Sequence, residues 1–295
     1  MNIERALGVA ALAVCTISGS DAFAQSNVTE NESKAIYVNA ASGRDAFPGT
    51  AAQPTQTIQA ALNKAITSAQ AGAGTTIMIA PGTYRETLNI NSIGNGTITL
   101  QASTPGTAVV DGSNVLTGWS KSSSTIYSAY WKDTVGGCSL PANWYTGMPP
   151  VVQANEMVFV NGVLMTQVMS SSQLRAGTFY VNKGSSQVQL YPPSGTNMSS
   201  AKVEIAARRS VLTVNGGKNL VFRGLTFQHA ASCMNQTAVN INSSSYILLD
   251  HDTANWNNWG GIGVNGGKYV TVQYTTASHN GGEGLGSWEA TSSTW

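Results

Sequence analysis

Residues 212–222 are LTVNGGKNLVF, residues 239–249 are VNINSSSYILL and residues 262–272 are IGVNGGKYVTV. One motif is written three times, the second copy 27 residues after the first and the third 23 after the second. Each copy has an apolar alternation, an Asn, a few small residues, and a second apolar alternation. A repeat of this size, with a strand on each side of a tight turn, is the signature of a solenoid. Leu212, Val239 and Ile262 fall in one column, and Leu285 continues it. Asn215, Asn242 and Asn265 fall in another. When turns stack at about 4.8 Å, each side-chain amide can donate to the next carbonyl, and Asn tolerates the left-handed backbone such turns require. The expected fold is all-β: a right-handed parallel β-helix with an asparagine ladder.

Working outward, the first 24 residues have the form of a secretory signal peptide. Arg5 gives a positive start, Ala6 to Ile17 is apolar, and Ala22-Phe23-Ala24 forms a small-x-small site before Gln25. The apolar run is shorter than the ~20 residues a membrane span needs. Cys15 follows the bulky Val14, which disfavours lipid attachment. An exported protein, extracellular or periplasmic, is therefore expected, with a loose linker over 25–34 and one domain over 35–295. Fifteen basic and 14 acidic side chains give a formal charge of +1, and only 10% of residues are charged. That balance argues against nucleic acid or an anionic membrane as partner. Cys138 and Cys233 could pair in an oxidising compartment. Nothing in the sequence makes them neighbours, so two isolated thiols are expected, in a monomer.

Thr57 as N-cap, followed by Ile58, Ala61, Leu62, Ala65 and Ile66 at helical spacing, predicts an amphipathic helix. A solenoid end exposes apolar cross-section and unpaired edges, and this helix is the expected lid. Period-two apolar pairs then begin: Ile77 and Ile79, Leu88 and Ile90, Ile98 and Leu100. Residues 116–210 interrupt the coils with Trp119, Trp131, Trp144, Tyr145, the loop SLPANWYTGMPP and the runs MVFVNGVLM, GTFYVN and QVQLYPP. They predict an inserted antiparallel segment.

The opening coils carry Tyr37, Val38, Gly43, Asp45, Pro48, Gly49, Thr50, Pro54, Thr57, Ile58, Gln59, Ala61 and Pro81 to Glu86. They resemble the entrance coils of secreted, pectate-lyase-like right-handed β-helix proteins that handle carbohydrate. After the insertion come VEIAARRSVLTV and NLVFRGLTFQHAA, and this order is similar to the β-helix xylosidase family of glycoside hydrolases. The resemblance implies glycosidase activity on an oligosaccharide or polysaccharide. The chain stops at Trp295 just after a coil, and further coils are expected beyond it.

Aligning residues 219–230, 246–257 and 269–280 puts Arg223, Asp250 and Gln273 in one column, and His229, Trp256 and His279 in another. Glycoside hydrolysis uses two carboxyl groups, about 5 to 5.5 Å apart for retention or about 6.5 to 9.5 Å for inversion. Asp250 is the candidate nucleophile or base, at a strand end where the resembled family carries an Asp. The competing reading is a surface ion pair with Arg223. Asp252 shares a slot with Leu225 and Thr275 and is either a turn cap or catalytic. Glu283, in NGGEGLG, is the candidate acid, against a solvated turn residue.

Arg223, His229 and His279 are candidates for hydrogen bonding to sugar, and Trp256 and Trp259 for stacking on it. The two imidazoles stand two coils, about 10 Å, apart, too far to share a metal ion. No cofactor is expected; Ca²⁺ would enter only under the alternative of a polysaccharide lyase or uronate epimerase. A non-catalytic glycan-binding or surface β-helix is the third alternative, since fold does not fix function.

Overall fold

The computed structural model describes residues 28, 32–91, 93–132, 138 and 147–295. The signal-peptide reading of 1–24 lies outside the described residues, as do Cys15, Trp144, Tyr145 and most of the linker.

Three parallel sheets wind around one core. Sheet 1 contains Glu32–Val38, Gly74–Ile79, Ile98–Ala102, Lys218–Arg223, Ser245–Asp250 and Lys268–Gln273. Sheet 2 contains Gly82–Tyr84, Ala108–Asp111, Leu225–Gln228, Thr253–Asn255 and Thr276–Ser278. Sheet 3 contains Leu88–Asn91, Leu212–Asn215, Thr237–Asn242, Gly260–Asn265 and Leu285–Trp288. Like residues stack because each coil repeats the same alternation. Leu88, Leu212, Val239, Ile262 and Leu285 form one column in register. Ile77, Leu100, Phe222, Leu249 and Val272 form another, filling the interior beside it. In the Asn column, which also includes Asn91, Asn242 Nδ2 donates to Asn215 Oδ1 at 3.0 Å.

The helix Ile58–Gln70 covers the N-terminal end, burying Ile58, Ala61, Leu62, Ala65 and Ala69. Thr57 caps it by accepting from the Ala60 N–H, and the Glu86 carboxylate accepts from the N–H groups of Ile58 and Gln59. A carboxylate is favoured there by the positive end of the helix dipole.

Corners between sheets are made by left-handed residues, and few of them are glycine. Gly224, His251 and Tyr274 occupy the corner from sheet 1 to sheet 2 with φ of 68°, 57° and 50°. His229, Trp256 and His279 leave sheet 2 with φ of 59°, 53° and 54°. A bulky residue in this region costs on the order of 1–3 kcal/mol, a cost that tends to be retained at functional positions.

Between Asp111 and Leu212 the chain leaves the solenoid and folds into two small sheets. One contains Ser113–Val115, Val158–Val160, Val163–Leu164 and Val203–Ala206; the other Ser120–Lys121, Tyr127–Tyr130, Thr166–Val168, Thr178–Asn182 and Gln187–Tyr191. Pairing is antiparallel except between 166–168 and 178–182. This unit has its own core, built on Trp131, Val158, Phe179, Val188, Leu190 and Ile205.

The expectation of two isolated thiols is corrected: Cys138 and Cys233 form a disulfide, 95 residues apart in sequence. After His229 the chain lies against the insertion, with Asn155 Nδ2 donating to the Ala231 carbonyl at 3.0 Å. That docking places Cys233 within reach of Cys138.

Candidate functional site

Sheet 2 ends in two coils whose outward residues, Thr253, Asn255, Thr276 and Ser278, are polar and at least partly open, while Ala254 turns inward. Two corners flank this strip. At the first, Arg223, Asp250 and Gln273 stand in register, with Gln101 preceding them. Asp250 Oδ2 accepts from Arg223 Nε at 3.0 Å, and Oδ1 accepts from Gln273 Nε2 at 3.2 Å and from His251 Nδ1 at 2.7 Å. Burial pushes the Asp250 carboxyl upward, but the donors on Arg223, Gln273 and His251 prevail and hold it below the usual carboxylate range. His251 stacks on Tyr274 with ring centroids 4.8 Å apart, and Tyr274 is 61% exposed.

At the second corner, Trp256 stacks on His279 with centroids 4.4 Å apart and planes 16° from parallel. Trp256 is 37% exposed. Trp259 is half-buried against Gly282, where an added Cβ would lie 2.7 Å from the indole Cε2. Glu283 stands over Gly260 at this same side of the coil, with one carboxyl oxygen enclosed and without a hydrogen-bond partner. Burial raises its pKa. Asp250 and Glu283 thus occupy different columns, separated along the coil by the sheet 2 strand, so they do not form a carboxylate pair stacked on adjacent coils.

Three expected site residues are buried: Asp250 and His229, each 7% exposed, and Asp252 at 1%. His229 shares the column of Trp256 but is only 7% exposed, because Phe159 of the insertion stacks on it at 3.8 Å. Its Nδ1 lies 3.3 Å from Asp111 Oδ2. Asp252, expected as a catalytic candidate, is sealed in the wall. Its Oδ1 accepts from the Leu225 N–H at 2.7 Å, Oδ2 is buried without a partner, and burial raises its pKa well above the ordinary value. It takes the turn-cap role, because the left-handed His251 redirects the chain and turns position 252 toward the core.

Sequence reasoning passed over His251 and Tyr274, although their slot is filled by Gly224 one coil earlier; a ring where glycine suffices was the available signal. It also passed over the buried cluster at the foot of the insertion. There Arg85 joins Asp111 and Glu204, Lys202 reaches Glu204 at 2.8 Å, and Gln228 donates to Asp111 at 2.9 Å. Despite burial, the contact with His229 and the hydrogen bonds from Ser113 and Gln228 hold Asp111 far below the usual carboxylate range. This cluster neutralises itself and fastens the insertion to the coils.

A separate cavity of about 480 Å³ lies in the insertion, beside Glu156, Gln167, Tyr180 and Lys183. The Glu156 carboxylate is bound there by Lys183 and Gln167, both at 3.0 Å. Among the described residues no group of three or more His, Cys, Asp and Glu could hold a metal, and no helix is long and apolar enough to cross a membrane.

Residues 161–294 match the family model described as the right handed beta helix region. The chain is a right-handed parallel β-helix. It is similar to the structure of XylC in complex with xylose, at 17% identity over 84% of this chain and 54% of that one, with a TM-score of 0.60. It is also similar to a structure described as a glycoside hydrolase, at 14% identity over 85% of this chain and 67% of that one, with a TM-score of 0.64. The chain thus spans about half the length of the XylC structure. No match was found among curated proteins. At these identities the likeness concerns the fold.

Proposed function

We propose that this is an exported carbohydrate-active protein that hydrolyses glycosidic bonds in an oligosaccharide or polysaccharide laid across sheet 2. The observation that carries the reading is Asp250: a carboxylate 7% exposed, fixed by three donors that hold it below the usual carboxylate range, next to an open aromatic stack and a strip of hydroxyl and amide groups. Amphipathic rings and polar side chains match the two faces of a pyranose, its C–H surface and its hydroxyls. Asp250 would act as nucleophile or as stabiliser of the cation developing at the anomeric carbon. Trp256 and His279 would hold a neighbouring sugar unit. The structural likeness to XylC and to a glycoside hydrolase supports this reading, and the disulfide supports export to an oxidising compartment.

The test is release of reducing ends from neutral oligosaccharides, including xylo-oligosaccharides, by the wild type and Asp250→Asn. Turnover in the wild type and a loss of about 10³-fold or more in the variant, roughly 4 kcal/mol of barrier, is expected. Glycan binding without turnover in either form would replace this reading with a binding solenoid, the alternative favoured by the separation of Glu283 from the Asp250 column.

A further inference from the structure

Resting on the glycosidase reading, the Asp250 corner poses a chemical question: what supplies the proton for the leaving oxygen? The column around Asp250 consists of Gln101, Arg223 and Gln273, none of them an acid. Asp252 is enclosed in the wall, and Glu283 belongs to the opposite corner. What stands beside Asp250 is an imidazole. His251 Nδ1 lies 2.7 Å from Asp250 Oδ1, while its side chain is 59% exposed. A carboxylate can only accept, so the Nδ1 position carries the hydrogen. The ring geometry then turns Nε2 away from Asp250.

The ring is held from more than one direction. Tyr274 of the next coil stacks on it, and Arg223 and Gln273 fix the carboxylate that orients it. In the preceding coil the same slot is Gly224, approached by Pro105: an added Cβ would lie 3.1 Å from Pro105 Cα. The charged or titratable groups facing the imidazole are therefore Asp250, Tyr274 and, through Asp250, Arg223. This arrangement of carboxylate, oriented imidazole and outward nitrogen is the one general acid–base catalysis uses.

We propose that His251 is the proton-transfer residue of this site, with Asp250 orienting it and stabilising the charge at the anomeric carbon. In the first step the Nε2–H of the imidazolium passes to the glycosidic oxygen as the C1–O bond breaks, and the electron pair of that bond stays on the oxygen. Water then bonds to C1 and gives its proton to Nε2. The imidazolium is restored, and one glycoside and one water have become two free sugars.

The experiment compares the purified full chain with His251→Asn and His251→Gly on two aryl glycosides of one sugar, 2,4-dinitrophenyl and phenyl. Asn tolerates the left-handed backbone, and Gly occupies the slot one coil earlier, so both variants suit the corner. The dinitrophenolate leaves without protonation; phenolate needs it. A loss of about 10² to 10⁴ in kcat/KM on the phenyl glycoside, against less than about tenfold on the dinitrophenyl one, is expected. Added imidazole should restore part of the phenyl rate in His251→Gly. Equal losses on both substrates, or no loss on either, with an active wild type would overturn the role of His251 and leave the glycosidase reading standing. A wild type that cleaves neither would remove both.

Discussion

Replacing Asp252 by Asn separates a wall residue from a catalytic one through the pH dependence of stability. The unfolded chain loses the Asp252 proton near the ordinary aspartate value of about 3.9. The folded chain holds it more tightly, because burial raises the pKa and the nearby Asp250 carboxylate adds to the shift. Between the two values the native state binds more protons than the unfolded state, so stability falls as pH rises, by about 1.4 kcal/mol per pH unit. Asp252→Asn retains an oxygen to accept from the Leu225 N–H, now at 2.7 Å, and has nothing to ionise. Its advantage over the wild type should therefore grow from about pH 4 upward at that slope, then level off once Asp252 ionises in the folded protein. Asp111 and Asp250, whose pKa values are lowered in the fold, tilt the acid side of both curves alike and largely cancel in the difference. Urea unfolding followed by tryptophan fluorescence at pH 4, 5, 6 and 7 measures it, with turnover assayed alongside. A pH-independent difference, or a wild type that gains on the variant as pH rises, would refute the placement of Asp252 as a buried, protonated cap.

The disulfide and the core give two further outcomes. Opening the Cys138–Cys233 link with Cys233→Ser releases a loop of 95 residues, a loss of about 4–5 kcal/mol on the chain-entropy account. Hydrogen exchange should quicken first in Val158–Val160 and Val203–Ala206 of the insertion, while Lys218–Arg223 and Ser245–Asp250 keep their protection. Phe222 is fully buried between Leu100 and Leu249 of the neighbouring coils, so Phe222→Ala should cost about 3–5 kcal/mol in urea unfolding without altering the sheet register.

The coils were legible because their information is local and repeated. Aligning three copies of one motif set the register of Leu212, Val239 and Ile262, and with it the columns of Asp250 and Trp256. Depth was not legible. Whether a polar residue at a corner faces water or the core depends on the left-handed residue beside it, which is how His251 comes to be outside and Asp252 inside. Cover supplied from elsewhere in the chain was not legible either: His229 is closed off by Phe159, 70 residues earlier, and Cys233 by Cys138. Those contacts arise from the docking of the insertion, for which neither partner carries a local signal.

The strand at Leu88 pairs directly with the one at Leu212, as though the 124 positions that separate them were a single turn. Bringing such distant ends together costs about 1.3 kcal/mol more in loop-closure entropy than the 27-residue step from Leu212 to Val239. Winding is therefore least costly within residues 74–111 and within 212–288, where each new rung contacts the one just laid down. The two sets of coils join by the costlier step, so the insertion between them is the segment that delays completion of the wall.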